Sequence, residues 1–526
     1  MKVLVSEQIA QKGIEKLTQE GVNVDVKPGL PREELLSIIG EYDGLIVRSN
    51  TKVNEELYQK AAKLKVVGRA GNGVDNIEME GATKRGIIVV NTPESNVVSA
   101  AELTIGLLFA TCRNIPQLHN RLKERLWDRS GLKGMELQGK TVGIVGLGRI
   151  GSLVATRLKS FGMTIIAYDP YISDTRFQKL GVEKKETLDE LMSQCDILTI
   201  HTPKTEETYG MIGKEQFKVA KKGLTVINCA RAGLINEAAL MEALKAKIVK
   251  RAGIDVLEGE PHATSPLLEF DNVIVTPHAG ADTVEAQDNV GITVAQEVVS
   301  ALRGEMVPNA VNLPTLPVQE LDVIQAYLRL GEIMGKMYYQ LEKEAVEKVE
   351  IIYQGEVASL ETPVISLAIL KGLFEPVLKE RVNYVNAQLI AKNRSVKVTE
   401  SKESTADNYL TLITLKVMSK GKVFTISGTT FAKGEPRIVE INGYEFDVNP
   451  TPYMLIAENI DKPGVVGQMG TLLGAGKVNI ATMQLGRNFT DQQAMMVLAV
   501  DSEVSRETLQ FLSGIEGILR VRFVKI

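Results

Sequence analysis

From Met1 to Arg303, short apolar runs alternate with longer stretches whose apolar positions recur at helical spacing. The runs Lys2–Val5, Val22–Val26, Gly44–Val47, Lys65–Val67 and Ile87–Val90 predict strands, with helices at Glu7–Glu20 and Arg32–Gly40. A second series predicts strands at Thr141–Val145, Thr164–Tyr168, Ile197–Ile200, Thr225–Ile227, Ala252–Ile254 and Val273–Val275. Its helices include Ile150–Phe161 and Glu237–Ala246, and a long helix follows over about Val284–Leu302. Alternation of this kind belongs to the α/β class, with parallel sheets covered by helices. The second series has the strand count of a doubly wound nucleotide-binding unit.

After Arg303 the pattern changes. Pro308, Pro314 and Pro317 mark a linker, and a mixed α+β segment runs over 318–450 to a second break at Asn449-Pro450-Thr451-Pro452. The last segment, 453–526, reads strand, helix, strand, strand, helix, strand.

Composition narrows the function classes. The net charge of -4 argues against a general nucleic-acid binder. The three cysteines, Cys112, Cys195 and Cys229, lie far apart without a CxxC pair, so neither a disulfide framework nor a metal site is expected. Reduced thiols fit a cytoplasmic protein. The N-terminal MKVLVSEQ has no signal-peptide pattern, and the apolar stretch Val97–Cys112 contains Glu102 and is too short to cross a membrane.

The strongest local motif is Gly146-Leu147-Gly148-Arg149-Ile150-Gly151, set between a predicted strand and a predicted helix. Gly146 permits the tight turn, Gly148 lets a pyrophosphate approach the backbone, and Gly151 lets helix and strand pack closely. The helix N-terminus offers free N–H groups to the phosphates. Asp169 ends the next strand, 18 positions after Gly151 (169 − 151), where a carboxylate would accept from ribose hydroxyls and repel a 2′-phosphate. The expected cofactor is NAD.

Three further residues follow strands of the same series. His278 comes after Val273–Val275, and an imidazole can take the hydroxyl proton that an alcohol loses as hydride departs. Glu260 would stabilise the imidazolium, with Glu258 as a nearby competitor. Arg231, after Thr225–Ile227, has the planar fork that grips a carboxylate.

On Gly146–Gly151, Asn228–Gly233, Asp255…Glu260-Pro261 and Pro277-His278, the chain resembles the D-isomer-specific 2-hydroxyacid dehydrogenases. The resemblance implies a substrate lobe of residues 1–97 and 284–306, and an inserted NAD lobe of residues 98–283. It implies Arg231, Glu260 and His278 as the catalytic set. Thr202, Cys229, Ala230, Asp255 and Gly280 join the phosphate loop in NAD binding. The stretches around Arg48-Ser49, Arg69…Asn72-Gly73 and Asn91…Glu102 narrow the resemblance to members acting on 3-phosphoglycerate. That dianion needs two cationic grips: Arg231 for the carboxylate, and Arg48 and Arg69, with Ser49, Asn72 and Gly73, for the phosphate. Arg129 is a weaker candidate. Asn72, Ala232, Ala279 and Asp282 depart from residues common in the family. Another 2-hydroxy acid such as 2-hydroxyglutarate, or an NAD-sensing binding protein on the same fold, are the rival readings.

Segment 453–526 resembles an ACT domain, on Asp461-Lys462-Pro463-Gly464 and Gly476…Asn479. The resemblance implies an amino-acid effector, L-serine, near Asp461 and Asn479, and pairing of copies into a dimer or tetramer. Segment 318–450 resembles the intervening domain of longer family members. Its Lys371, Lys379, Arg381, Lys392 and Arg394 form either an anion site or, more simply, a solvated face.

Overall fold

The computed structural model describes residues 1–526 except 263, 306, 315–319, 379–380, 407, 432–433 and 489–491. The predicted positions 306, Pro317, 318 and Lys379 lie outside the described residues.

The first five strands, β1 (Lys2–Val5), β2 (Asn23–Val26), β3 (Gly44–Val47), β4 (Val66–Arg69) and β5 (Ile88–Val90), form a parallel sheet in the order β2-β1-β3-β4-β5. Its middle strands are apolar on both faces because helices cover both. One covering helix comes from far along the chain: Val284–Arg303 lays Val290, Val294 and Val298 onto Val3, Ile46 and Val66. The first helix spans Gln11–Gln19, four residues short of the predicted start at Glu7. Glu7 serves the neighbouring loop instead: its carboxylate accepts from the backbone N–H of Arg48, Asn50 and Thr51 at 2.9, 3.2 and 2.9 Å.

Between these two contributions to the first lobe, the chain builds a seven-stranded parallel sheet. Its strands are β6 (Thr141–Val145), β7 (Thr164–Tyr168), β8 (Glu183–Lys184), β9 (Ile197–Ile200), β10 (Leu224–Asn228), β11 (Val249–Ile254) and β12 (Val273–Val275). The order is β12-β11-β10-β9-β6-β7-β8, so the chain reverses its direction of travel across the sheet at β6. In open sheets of this kind, ligands bind at such a switch, beyond the carboxyl ends of the strands. The two-residue β8 was not visible in the apolar pattern, since it is polar and sits at the sheet edge.

A third sheet contains β13 (Lys348–Gly355), β14 (Lys397–Glu403), β15 (Thr411–Ser419), β16 (Lys422–Phe431), β17 (Glu435–Ile441) and β18 (Tyr444–Val448), ordered β14-β13-β15-β16-β17-β18. Only β13 and β14 pair in parallel. Helices Leu321–Glu342 and Thr362–Phe374 cross at Gly335 and Gly372, where a Cβ would lie 2.3 Å from the Ile369 carbonyl oxygen and 2.2 Å from that of Glu332. The last strands, β19 (Tyr453–Ile460), β20 (Ile480–Asn488), β21 (Gln493–Val500) and β22 (Ile518–Lys525), form an antiparallel sheet ordered β20-β21-β19-β22. With helices Val465–Ala475 and Arg506–Ser513, its element order is βαββαβ. The proline-marked break between β18 and β19 separates two sheets that share one buried cluster, while Leu455, Met469, Met496 and Leu498 build a second core between the last sheet and its helices. Met454, Ile456, Met495 and Val524 belong to the same buried cluster as Tyr338, Ile351 and Ile426.

The long helix after His278 depends on a glycine contact. A Cβ on Gly13 would lie 2.6 Å from the carbonyl oxygen of Gly291, a backbone atom that cannot rotate away. Gly13→Ala should therefore displace helix Val284–Arg303 and cost about 1–3 kcal/mol, read as a lowered midpoint in chemical denaturation.

Candidate active site

The turn after β12 is built around one buried carboxylate. Asp255, 1% exposed, follows β11 and accepts the Thr276 hydroxyl at 2.6 Å and the N–H groups of Ala279 and Gly280 at 2.8 and 3.0 Å. The Asp255 carbonyl also accepts the His278 N–H at 2.8 Å. These bonds hold His278 at φ 54°, in the left-handed region that a non-glycine residue enters only when its surroundings demand it. The imidazole then points Nδ1 at Glu260 Oε1, 3.0 Å away. Glu258 does not reach the ring; its backbone N–H donates to Glu237 instead. Partial burial alone would raise the Glu260 pKa, but the hydrogen bond and charge of His278, with the charge of Arg231, bring it below the ordinary carboxylate range.

Arg231 is presented by the turn after β10. Asn228 clamps that turn, accepting from the Ala230 N–H and donating to the Arg231 carbonyl, each at 3.0 Å. The guanidinium reaches across to the first lobe, where its Nε lies 3.8 Å from Asp75. It passes so close to Gly73 that a Cβ there would sit 2.6 Å from Nη2.

The first lobe answers from the ends of β3 and β4. Glu7 fixes the loop carrying Arg48 and Ser49 from behind, and Asn76 donates to the carbonyls of Arg48 and Thr51 at 2.8 and 2.7 Å. Arg69 ends β4; its Nη1 donates to the Ala70 carbonyl at 2.6 Å, while its buried Nε has no partner among the described residues. Burial, aided by the positive charges of Arg48 and Arg231, lowers the Arg69 pKa to about 10, so it stays protonated at neutral pH. Gly71 permits this placement, since a Cβ there would lie 2.2 Å from Arg69 Nη1.

One cleft of about 730 Å³ is lined by Arg48, Arg69, Arg231, Glu260 and His278, along with Ser49, Asn72 and Gly73. The structure thus brings together Arg231, Glu260 and His278 with the expected substrate residues Arg48, Ser49, Arg69, Asn72 and Gly73. Arg129 does not line the cleft. Glu7, Asp75 and Asn76 were missed in the sequence. Asp75 and Asn76 lie just beyond the Arg69…Asn72-Gly73 stretch, where nothing distinguishes a clamp from a loop residue. Glu7 looked like the start of a helix.

The phosphate loop lies at the switch end of β6. Gly146 has φ 89°, and its Cβ would meet the His201 carbonyl oxygen and Thr202 Cγ2, both at 2.9 Å. A Cβ on Gly151 would lie 2.1 Å from the Gly146 oxygen, whereas one on Gly148 would meet no protein atom. Helix Arg149–Lys159 starts here with no side-chain cap, leaving its first N–H groups for a ligand. The loop therefore fits a dinucleotide pyrophosphate. Asp169 already accepts the N–H groups of Leu147 and Tyr171 at 2.8 and 3.0 Å, which orders the loop and leaves further lone pairs for ribose. Arg149 is ion-paired with Glu94 at 3.2 Å. Cys229 is buried, its thiol pushed up to about 12 by burial, so it contributes no thiolate.

In the tail, Asp461 pairs with Arg487 at 3.2 Å and Asn479 donates to Asp501 at 2.6 Å. Lys371 is tied to Glu332 at 2.8 Å, and so does not belong to an anion site with Arg381, Lys392 and Arg394. Among the described residues, no cluster could hold a metal ion and no helix is long and apolar enough to cross a membrane.

Comparison with known proteins extends these observations. Residues 105–280 match the D-isomer specific 2-hydroxyacid dehydrogenase NAD binding domain, and residues 323–442 match the D-3-phosphoglycerate dehydrogenase intervening domain. The D-3-phosphoglycerate dehydrogenase of Methanocaldococcus jannaschii is 44% identical over 526 residues, covering 100% of both chains. That of Bacillus subtilis is 40% identical, covering 100% of this chain and 99% of its own. Among solved structures, D-lactate dehydrogenase from Aquifex aeolicus, complexed with NAD and lactic acid, is 26% identical at a TM-score of 0.53, covering 60% of this chain and 100% of its own.

Because Glu260 is held below its ordinary pKa, its pairing with His278 contributes stability above the unfolded carboxylate value, and that contribution is lost as pH falls through the folded one. The stability difference between wild type and Glu260→Gln, measured by urea denaturation, should be largest near neutral pH and shrink on acidification.

Proposed function

The chain belongs to the D-3-phosphoglycerate dehydrogenases, within the D-isomer specific 2-hydroxyacid dehydrogenases, and from this premise we propose that it oxidises 3-phosphoglycerate to 3-phosphohydroxypyruvate with NAD, the entry to L-serine synthesis. The observation that carries the substrate is the presence of Arg48, Arg69 and Arg231 in the same cleft as the His278–Glu260 pair. A monoanionic hydroxy acid needs one cationic grip; this cleft offers three.

In the proposed reaction Arg231 holds the carboxylate, while Arg48 and Arg69 hold the phosphate, helped by Ser49 and by the backbone at Asn72 and Gly73. The Nδ1–H of His278 donates to Glu260, leaving the Nε2 lone pair for the 2-hydroxyl proton. Glu260 balances the imidazolium that results. Arg231 also stabilises negative charge on the carbonyl oxygen in the reverse direction. Gly146, Gly148, Arg149, Ile150 and Gly151 cradle the pyrophosphate, with Asp169 on the ribose and Thr202, Ala230, Asp255 and Gly280 around the remaining dinucleotide. When bound, NAD supplies the hydride acceptor. Closing the two lobes would exclude water from the transfer.

We further infer that Tyr453–Ile526 is an ACT-like sensing unit with L-serine as effector and that copies of the chain associate. The βαββαβ order and the turn at Gly464, with φ 97°, support the first point. Serine at Asp461 and Asn479 would have to displace Arg487 and Asp501 from them. Association is supported by Ile115, Leu122, Leu126 and Trp127, an exposed apolar group in which Trp127 is 93% accessible. The three buried, unpaired cysteines suit a reducing cytoplasm.

The test is NADH oxidation with 3-phosphohydroxypyruvate, with and without L-serine. His278→Asn should lower kcat about 10²–10⁴-fold. Arg48→Gln should raise KM for this substrate about tenfold or more, while affecting an unphosphorylated 2-keto acid less. Wild-type turnover of another 2-keto acid but not this one would remove the substrate assignment. Rates indifferent to serine would remove the effector.

A further inference from the structure

Between β5 and helix Val97–Arg113 runs a strap, Asn91–Asn96, that leads the chain from the first lobe to the seven-stranded sheet. It is fixed to the first lobe at its start. The N–H of buried Thr92 donates to the Gly71 carbonyl at 3.0 Å. Asn91 donates through its backbone N–H to the Asn309 carbonyl at 3.2 Å, and through Nδ2 to the Asn72 carbonyl at 2.7 Å. Pro93 then fixes one backbone dihedral, and the Ser95 hydroxyl donates to that of Thr293 at 3.3 Å. Glu94 stands between these anchors, so a held backbone presents its carboxylate. The helix after the strap packs Leu107 and Leu108 into the same core as Val154 and Leu158 of helix Arg149–Lys159. That packing brings the strap to the phosphate loop, where Glu94 Oε1 lies 3.2 Å from Arg149 Nη2.

Arg149 is the one cationic side chain of the Gly146–Gly151 loop. Among the described residues, Glu94 is the one acid at ion-pair distance from it. Helix Arg149–Lys159 has no acid in its own first turn, so the strap supplies the negative charge at this helix start. A dinucleotide pyrophosphate seeks the same guanidinium. Two anions on one guanidinium edge repel each other, so cofactor binding has to replace the Glu94 contact. The side chains of the pair are 59% and 74% exposed, and water screens a pair of that kind. Its hold is therefore weak, enough to lower the affinity of a competing anion several-fold without shutting the site. The same polarity recurs in the substrate cleft, where Asp75 of the first lobe stands 3.8 Å from Arg231 of the NAD lobe.

We propose that Glu94 sets the affinity of the cofactor site: it competes with the NAD pyrophosphate for Arg149, and each binding event must displace it. The inference rests on the NAD reading of the phosphate loop. Fluorescence titration of the full chain with NADH tests it. Glu94→Gln keeps the length of the side chain and removes its charge. It should tighten NADH binding about two- to fivefold, the range that an exposed ion pair commands. A merely structural Glu94 predicts the opposite sign, since a loosened strap would weaken NADH binding. In the Arg149→Gln background the same substitution should bring little or no gain, because no guanidinium is left to free. NADH affinity unchanged or weakened by Glu94→Gln would overturn the proposal. An equal gain with and without Arg149 would also overturn it, by assigning the effect to general repulsion. Wild-type protein that bound no NADH would strike the cofactor reading itself, and this inference with it, so the two failures are told apart by the wild-type titration alone.

Discussion

Three guanidinium groups share one cleft, and much of the surrounding architecture keeps them there despite mutual repulsion. Arg48 and Arg69 come from the ends of adjacent strands in one sheet, and Arg231 from a strand end in the other. The acid that anchors the Arg48 loop, Glu7, spends its oxygens on backbone N–H groups. It contributes negative charge behind the cleft without capping the cations. Asp75 stands near Arg231 at only 3.8 Å. A site so arranged has its electrostatic work done before the anion arrives, which is the condition under which fixed charges act most effectively.

Two carboxylates beside His278 play different parts. Asp255 is buried and accepts three hydrogen bonds that shape the turn, while Glu260 lies at the cleft with Oε1 against the imidazole. The donors that hold Asp255 in place occupy three of its roughly four lone-pair positions, and the imidazole turns to Glu260 instead.

Much of this was legible in the sequence because parallel strands buried on both faces leave continuous apolar runs. Strands β1, β3, β6, β7, β9 and β12 have the predicted bounds, and Arg231, Glu260 and His278 could be placed by their position after such strands. What escaped was set by partners distant in the chain. The polar edge strand β8 carries no apolar signal. Glu7 reads as helical by spacing, yet its oxygens serve a loop some forty residues away. Lys371 reads in the sequence as one of several clustered cations, whereas in the fold it is paired with Glu332. Charge spacing along a chain does not reveal which charges are already paired.

The continuous core beneath the third and fourth sheets bears on how the tail can act. Met454, Ile456 and Val524 are buried against Tyr338 and its neighbours, so the terminal sheet cannot swing freely on a linker. The two sheets should melt together as one cooperative block, and deleting the last would expose a broad apolar face on the first. Any signal received at the chain's end would then travel as rigid-body motion of that whole block, with the first lobe as its nearest point of leverage.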